Sequence, residues 1–150
     1  MLSKRIPVFL FLLLVFFAKL QAFTADDILG RWYNQEKTAQ INIYKNSSGK
    51  YMGTICWLKE PLDSLTGKPK LDKENSDKTL RSTPLLGLMV LKNFVFDQTA
   101  QKYADGTIYD PKNGSTYTCK ITMINVNELD VRGYVMFSFI GRTAHWTRAK

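Results

Sequence analysis

The sequence predicts an all-β chain whose eight strands form an antiparallel, up-and-down barrel, with a short N-terminal helix and one long loop. Three observations carry that prediction. Apolar residues recur with period two. Ala39, Ile41 and Ile43 alternate with Gln40, Asn42 and Tyr44, and Tyr117, Cys119, Ile121 and Met123 alternate with Thr116, Thr118, Lys120 and Thr122. Such alternation gives a strand one apolar and one wet face. Turn residues then punctuate the runs at hairpin spacing. The clearest is Asp110-Pro111-Lys112-Asn113-Gly114, where Pro presets one φ and Asn-Gly accepts a positive φ. Finally, every connection but one is short enough to join antiparallel neighbours. An eight-stranded meander loses both exposed edges by closing on itself.

In chain order, a short helix is expected over Ala25–Leu29, followed by strands near residues 30–35, 39–45, 50–59, 88–97, 101–109, 115–126, 128–137 and 141–148. Asn46-Ser47-Ser48-Gly49 and Asn125-Val126-Asn127 supply two of the turns. The exceptional connection runs between Cys56 and Leu88. Its charge nearly cancels, with Lys59, Lys68, Lys70, Lys73, Lys78 and Arg81 set against Glu60, Asp63, Asp72, Glu74 and Asp77. Gly67 and Pro69 give it bends, and an apolar knot at Pro84–Leu88, with a turn at Pro84–Leu86, anchors its return over one barrel end. A lid over a mouth and a solvated loop with an apolar foot are both open readings. A half-open sheet packed on the N-terminal helix is the alternative to a closed barrel.

Domain organisation is simple. Lys4 and Arg5 precede an apolar run of thirteen residues, Ile6 to Ala18, and Leu20-Gln21-Ala22 follows. That order of positive end, short greasy centre and small-residue exit reads as a secretory signal peptide over residues 1–22. A spanning helix needs roughly 20 apolar residues, so no stable membrane insertion is expected after cleavage. Residues 23–150 are read as one barrel domain, periplasmic or secreted. Removing residues 1–22, which carry Lys4, Arg5 and Lys19 and no acid, lowers the formal charge from +8 to +5. The remaining cations are scattered and belong to no recognisable module, which argues against nucleic acid as a partner and leaves weak attraction to anionic envelope surfaces open. Export permits a disulfide between Cys56 and Cys119, but alternation sets them in different company, and a bridge needs Cα atoms within about 7 Å.

Several blocks then carry a resemblance. "ILGRW" at Ile28–Trp32 looks like the Gly-x-Trp that opens the first strand of lipocalin-type barrels. "WLKEPLD" (Trp57–Asp63), "GKPK" (Gly67–Lys70), "LRSTPLLGL" (Leu80–Leu88), "IYDPKNGSTY" (Ile108–Tyr117), "VRGY" (Val131–Tyr134) and "IGRTAHWTR" (Ile140–Arg148) resemble a bacterial family of exported small proteins. That family is a domain of unknown function, number two-one-four-seven. The resemblance implies a lipocalin-like, calycin-like barrel in the periplasm or outside the cell, and brings no assigned reaction or ligand. Many members carry a Cys pair in the hairpin before the Trp block; Asn46 to Gly53 of this chain contains none.

Candidate site residues follow from parity. Arg142 and Arg148 share a face with Trp146, and a closed barrel brings Trp32 beside the last strand. An arginine there either stacks on Trp32 as a plug or meets a ligand's acidic head, since a charge in an apolar interior needs a partner. Arg132 and Tyr134 share the face opposite Val131, either solvated or turned to the mouth where Gly133 bends the strand. Trp57, Tyr109 and Tyr117 either line a pocket or fill the barrel. His145, the one histidine, falls on an outward face. No zinc cluster, nucleophile elbow, phosphate loop or dinucleotide fingerprint occurs. Asp105 and Asp110, near a hairpin, are read either as an acid pair or, with Asp110 before Pro111, as turn chemistry, the favoured reading, and the acids of the long loop do not fit a calcium loop. The leading functional expectation is a cofactor-free binding module for a small hydrophobic or amphipathic ligand. The alternatives are an envelope protein partner recognised by the loops and, with least support, an enzyme.

Overall fold

The computed structural model describes residues 22–137 and 139–150; the expected signal peptide lies outside the described residues except for Ala22. Eight strands close a single antiparallel barrel in sequence order. They are β1 (Gly30–Tyr33), β2 (Ala39–Lys45), β3 (Tyr51–Leu58), β4 (Met89–Asp97), β5 (Lys102–Asp110), β6 (Ser115–Asn125), β7 (Glu128–Tyr134) and β8 (Gly141–Arg148). Closure is made by β1 against β8, with Trp32 opposite Arg148 and Tyr33 opposite Thr147. The expected strands are therefore present, although β7 stops at Tyr134. The meander defines two ends. The lower end holds Phe23–Leu29 and the β2–β3, β4–β5 and β6–β7 turns. The upper end holds the β1–β2, β5–β6 and β7–β8 turns and the long β3–β4 loop.

The interior follows the alternation. Trp32, Ile41, Ile43, Tyr51, Ile55, Leu91, Phe94, Tyr103, Cys119, Ile121, Met123, Leu129, Val131 and Trp146 form one buried cluster. Two glycines set how tightly it packs. A Cβ on Gly106 would lie 2.4–2.5 Å from the Phe94 ring, and one on Gly53 would lie 2.9 Å from both Ile41 and Leu91. The space vacated by these missing side chains is taken by large neighbours, the means by which small barrels fill their interiors. Asn93 and Asp105 hold positive φ values of 64° and 58° within β4 and β5, and the β5–β6 register slips between Tyr103 and Gly106. Asp105 is thus a bulge residue, not half of an acid pair.

The expected N-terminal helix is a turn. The turn over residues 25–28 is closed by i→i−3 bonds, Asp27 N–H to Thr24 O at 3.2 Å and Leu29 N–H to Asp26 O at 3.1 Å. The carbonyls a longer helix would use are engaged elsewhere. Ile28 O accepts from the Trp32 indole at 2.8 Å, and Asp27 O and Leu29 O accept from Arg148. Gly30 at φ 116° then turns the chain into β1.

The long loop has defined structure. Bridges join Leu62 to Pro69 and Leu71 to Pro84, and a 3-10 turn spans Lys78–Leu80, capped by the Asp77 carboxylate at 2.9 Å from Thr79 N–H. Gly87 N–H to Ile55 O at 2.7 Å and Ile55 N–H to Leu88 O at 2.9 Å tie its return to β3.

Candidate functional site

At the lower end the barrel is shut. The Arg148 guanidinium lies over the Trp32 ring at 4.1 Å. Its Nη1 donates to Leu29 O at 2.9 Å, Nη2 to Asp27 O at 2.7 Å and Nε to Val126 O at 2.6 Å. Desolvation pulls its pKa below the usual arginine range, but three carbonyls and an indole face satisfy the charge. Arg148 and Trp32 are therefore occupied with each other, as a plug. Trp146 sits above them, buried and in register with Leu129.

The upper end differs. Leu58, Leu88, Ile108 and Ala144 pack against the core yet are only partly buried. Tyr117 stands in the same inward row, opposite Ile108, and is half-buried. Gly133 pairs with Cys119 on one side and Arg142 on the other; a Cβ there would meet Ile108 at 3.3 Å and Tyr117 at 3.5 Å. These residues form the half-exposed apolar mouth of the barrel, closely packed where Ile108 and Tyr117 lie against Gly133. Arg142 occupies the next inward position of β8 beyond Ala144, at the rim. It is exposed, and among the described residues its side chain makes no hydrogen bond or ion pair.

The long loop is fastened beside this mouth. Tyr109 donates its hydroxyl to the Asp72 carboxylate, at 2.7 and 2.9 Å from the two oxygens, and Asn75 Nδ2 donates to Oδ2 at 2.7 Å. Asp72 is 1% exposed. Burial and the Asp72 charge push the Tyr109 phenol up to about 12. The β5–β6 turn presses on the same segment: a Cβ on Gly114 would fall 1.8 Å from the Glu74 carbonyl oxygen.

The candidate residues are thus divided. Tyr109, Tyr117 and Arg142 all lie at the upper end, Tyr117 and Arg142 in the inward row and Tyr109, paired with Thr116, holding Asp72 of the long loop. Trp57 does not join them, because the β2–β3 register slips between Gln40/Trp57 and Ile41/Ile55. Cys56 is the extra residue, and it turns Trp57 to the outer wall, edge-on to Tyr33 with centroids 5.8 Å apart. Arg132 lies on the outer wall too, opposite Lys120 and Thr143 and bonded to Thr143 Oγ1 at 3.0 Å. Tyr134 follows on the same face, half-buried against Gly141. His145 faces the buried Asp130 Oδ1 in an outer cleft of about 230 Å³ with Ile124, Glu128, Trp146 and Thr147. Among the described residues no group of three metal-ligating side chains occurs. Asp72 and the apolar tip of the β7–β8 hairpin are the two upper-end features that alternation does not point to.

The comparisons with known proteins agree with this geometry. The sequence profile of the family described as "Uncharacterized protein conserved in bacteria (DUF2147)" matches residues 30–148. The chain belongs to that family. The match covers all eight strands of the DUF2147 barrel. Among solved structures, the chain is similar to one described as "Protein HP1028 from the human pathogen Helicobacter pylori belongs to the lipocalin family". The TM-score is 0.66 at 22% identity, covering 81% of this chain and 82% of that one. At that identity the likeness shows the fold, a lipocalin-like barrel. No curated protein matches.

Proposed function

We propose that this protein is exported and binds a small, largely apolar ligand with an acidic head at the upper mouth of its barrel. The observation that carries the reading is the contrast between the two arginines of β8. Arg148 is consumed by Trp32 and three carbonyls, whereas the side chain of Arg142, at the rim of a half-exposed apolar row, has no partner among the described residues. An apolar recess with a few placed polar groups is the usual make-up of a small-molecule site, and a guanidinium fork matches a carboxylate. The packed lower half limits the depth available, so the ligand is held near the mouth with its head at Arg142. The signal-like N-terminus supports export.

A fluorescent fatty-acid probe and its alcohol analogue test this directly. The acid is expected to bind and the alcohol to bind more weakly. Arg142→Gln should weaken the acid by roughly tenfold and leave the alcohol unchanged, in line with loss of one charge-assisted contact. Ala144→Phe should block both. No binding by the parent chain, or equal binding of the acid by parent and both variants, would sink the proposal.

A further inference from the structure

The β7–β8 hairpin carries its apolar residues out into water. Met136 is 85% exposed, Phe139 76% and Phe137 54%, with Val135 and Ile140 about half exposed beside them. The tip has built structure: the Phe137 and Phe139 rings stack with centroids 5.4 Å apart and planes 4° from parallel. Phe137 N–H donates to Val135 O at 2.6 Å, Ile140 N–H to Phe137 O at 2.9 Å, and Val135 N–H to Ile140 O at 3.2 Å. Met136 holds a positive φ of 58°, a conformation that long side chains seldom adopt. Exposed apolar clusters of this kind mark interaction surfaces.

Charge is arranged behind the tip. Residues 135–140 include no charged side chain. Arg142 follows on one strand and Arg132 precedes on the other, with Lys120 opposite Arg132. The first acid on the hairpin is Asp130, further down the wall. Arg142 lies two residues beyond Ile140, roughly 7 Å along the hairpin. That is within the depth of about 5–10 Å to which interfacial segments enter the headgroup–acyl boundary.

We propose that this tip docks the upper end of the barrel on an anionic phospholipid bilayer. Met136, Phe137 and Phe139 enter the boundary region while Arg142 and Arg132 meet lipid phosphates. A bilayer presents the two features in the order the hairpin meets them, an apolar layer beneath an anionic one. A second copy does not: pairing two tips would bring the same arginines toward one another, and the hairpin carries no acid before Asp130 to offset them. The docking is peripheral; among the described residues no helix is long and apolar enough to cross a membrane. It stands on the tip and its cations, whether or not the mouth takes a ligand.

The test places an environment-sensitive fluorophore on Met136→Cys in a Cys56→Ser background of the chain without its signal-like leader, residues 23–150. Vesicles of phosphatidylglycerol with phosphatidylcholine are compared with phosphatidylcholine alone. The probe is expected to shift to the blue on anionic vesicles only. Phe137→Ser combined with Phe139→Ser should weaken partitioning by roughly tenfold or more, and Arg142→Gln by about fivefold, the contribution of one cation near an anionic surface. If the chain sediments with vesicles while the probe stays in water, residues outside the tip carry the binding and the proposal falls. A blue shift without vesicles that grows with protein concentration assigns the tip to a second copy and also overturns it, as does no shift under any condition.

Discussion

The Arg148 guanidinium lies 4.1 Å over the Trp32 indole and donates to the carbonyls of Asp27, Leu29 and Val126. One side chain thereby ties the first strand, the last strand, the N-terminal turn and the β6–β7 turn together. Hydrogen bonds with a charged partner contribute about 1.5–3 kcal/mol each, and a partly desolvated cation–π contact about 1–2, without simple additivity. Arg148→Ala is expected to destabilise the barrel by about 3 kcal/mol in denaturant unfolding. Arg148→Lys should recover less than half, because an ammonium cannot reproduce the planar fork.

The Phe94 ring occupies the space a side chain on Gly106 would need. Gly106→Ala should therefore cost about 2–3 kcal/mol through overpacking. Combined with Phe94→Leu, the cost should fall below the sum of the two single changes, since the smaller side chain yields the space. A double-mutant cycle by urea unfolding checks the coupling. Additive costs would show that the two residues do not share one volume.

Tyr109 and Asp72 latch the long loop, so Tyr109→Phe leaves a buried carboxylate with Asn75 as its remaining side-chain donor. Such a loss costs roughly 1–3 kcal/mol. The loop can open locally and hydrate Asp72, so the effect should appear as faster proteolysis between residues 62 and 83, with little change in barrel unfolding. The latch should also have an alkaline limit. The Tyr109 pKa rises from 10.0 to about 12 on folding, so its contribution is complete below pH 10 and is lost as pH rises through about 12. Protease sensitivity measured across that range checks the sign.

Strand placement was legible because burial on one face imposes period two, and because Asn-Gly, Asn-Ser and Pro turns interrupt it. Three features were not. The Cys56 bulge reverses parity within one strand, and no residue type announces it, so Trp57 reads as inward until the Gln40 pairing is seen. Asp72 looks like one more acid in a solvated loop, since sequence does not reveal that Tyr109 lies above it. The apolar character of Val135 to Phe137 reads as continued strand, hiding the point where β7 ends and the tip begins. Arg148 on Trp32, by contrast, follows from the chain ends meeting in a closed barrel.

The two thiols should behave differently. Cys56 is exposed and Cys119 buried, and neither is bonded to the other. Burial pushes the Cys119 thiol up to about 12, which leaves almost no thiolate at neutral pH. A thiol-reactive dye should label one site quickly on the native protein and the second only after denaturant is added. Two fast reactions, or none, would contradict this placement.

The loop has an acid limit as well as an alkaline one, set by a different group. Lys73 at 2.8 Å, with the backbone N–H groups of Thr66 and Leu65, holds the Asp63 carboxyl down at about 2, from 3.8. A depressed carboxyl pKa stabilises the fold above its unfolded value, and that contribution is lost as pH falls through the folded value. The Leu62–Pro69 turn is therefore expected to hold above about pH 4 and to loosen toward pH 2. Because Asp63 stands in a surface turn closed by its own short-range bonds, the loss should stay local. Asp63→Asn retains an acceptor for the two amides but removes the charge facing Lys73, so its turn should show no such acid transition. Amide exchange at Leu65, Thr66 and Gly67, followed by NMR from pH 5 downward, distinguishes the two. Parallel curves for the parent and Asp63→Asn would place the acid sensitivity elsewhere.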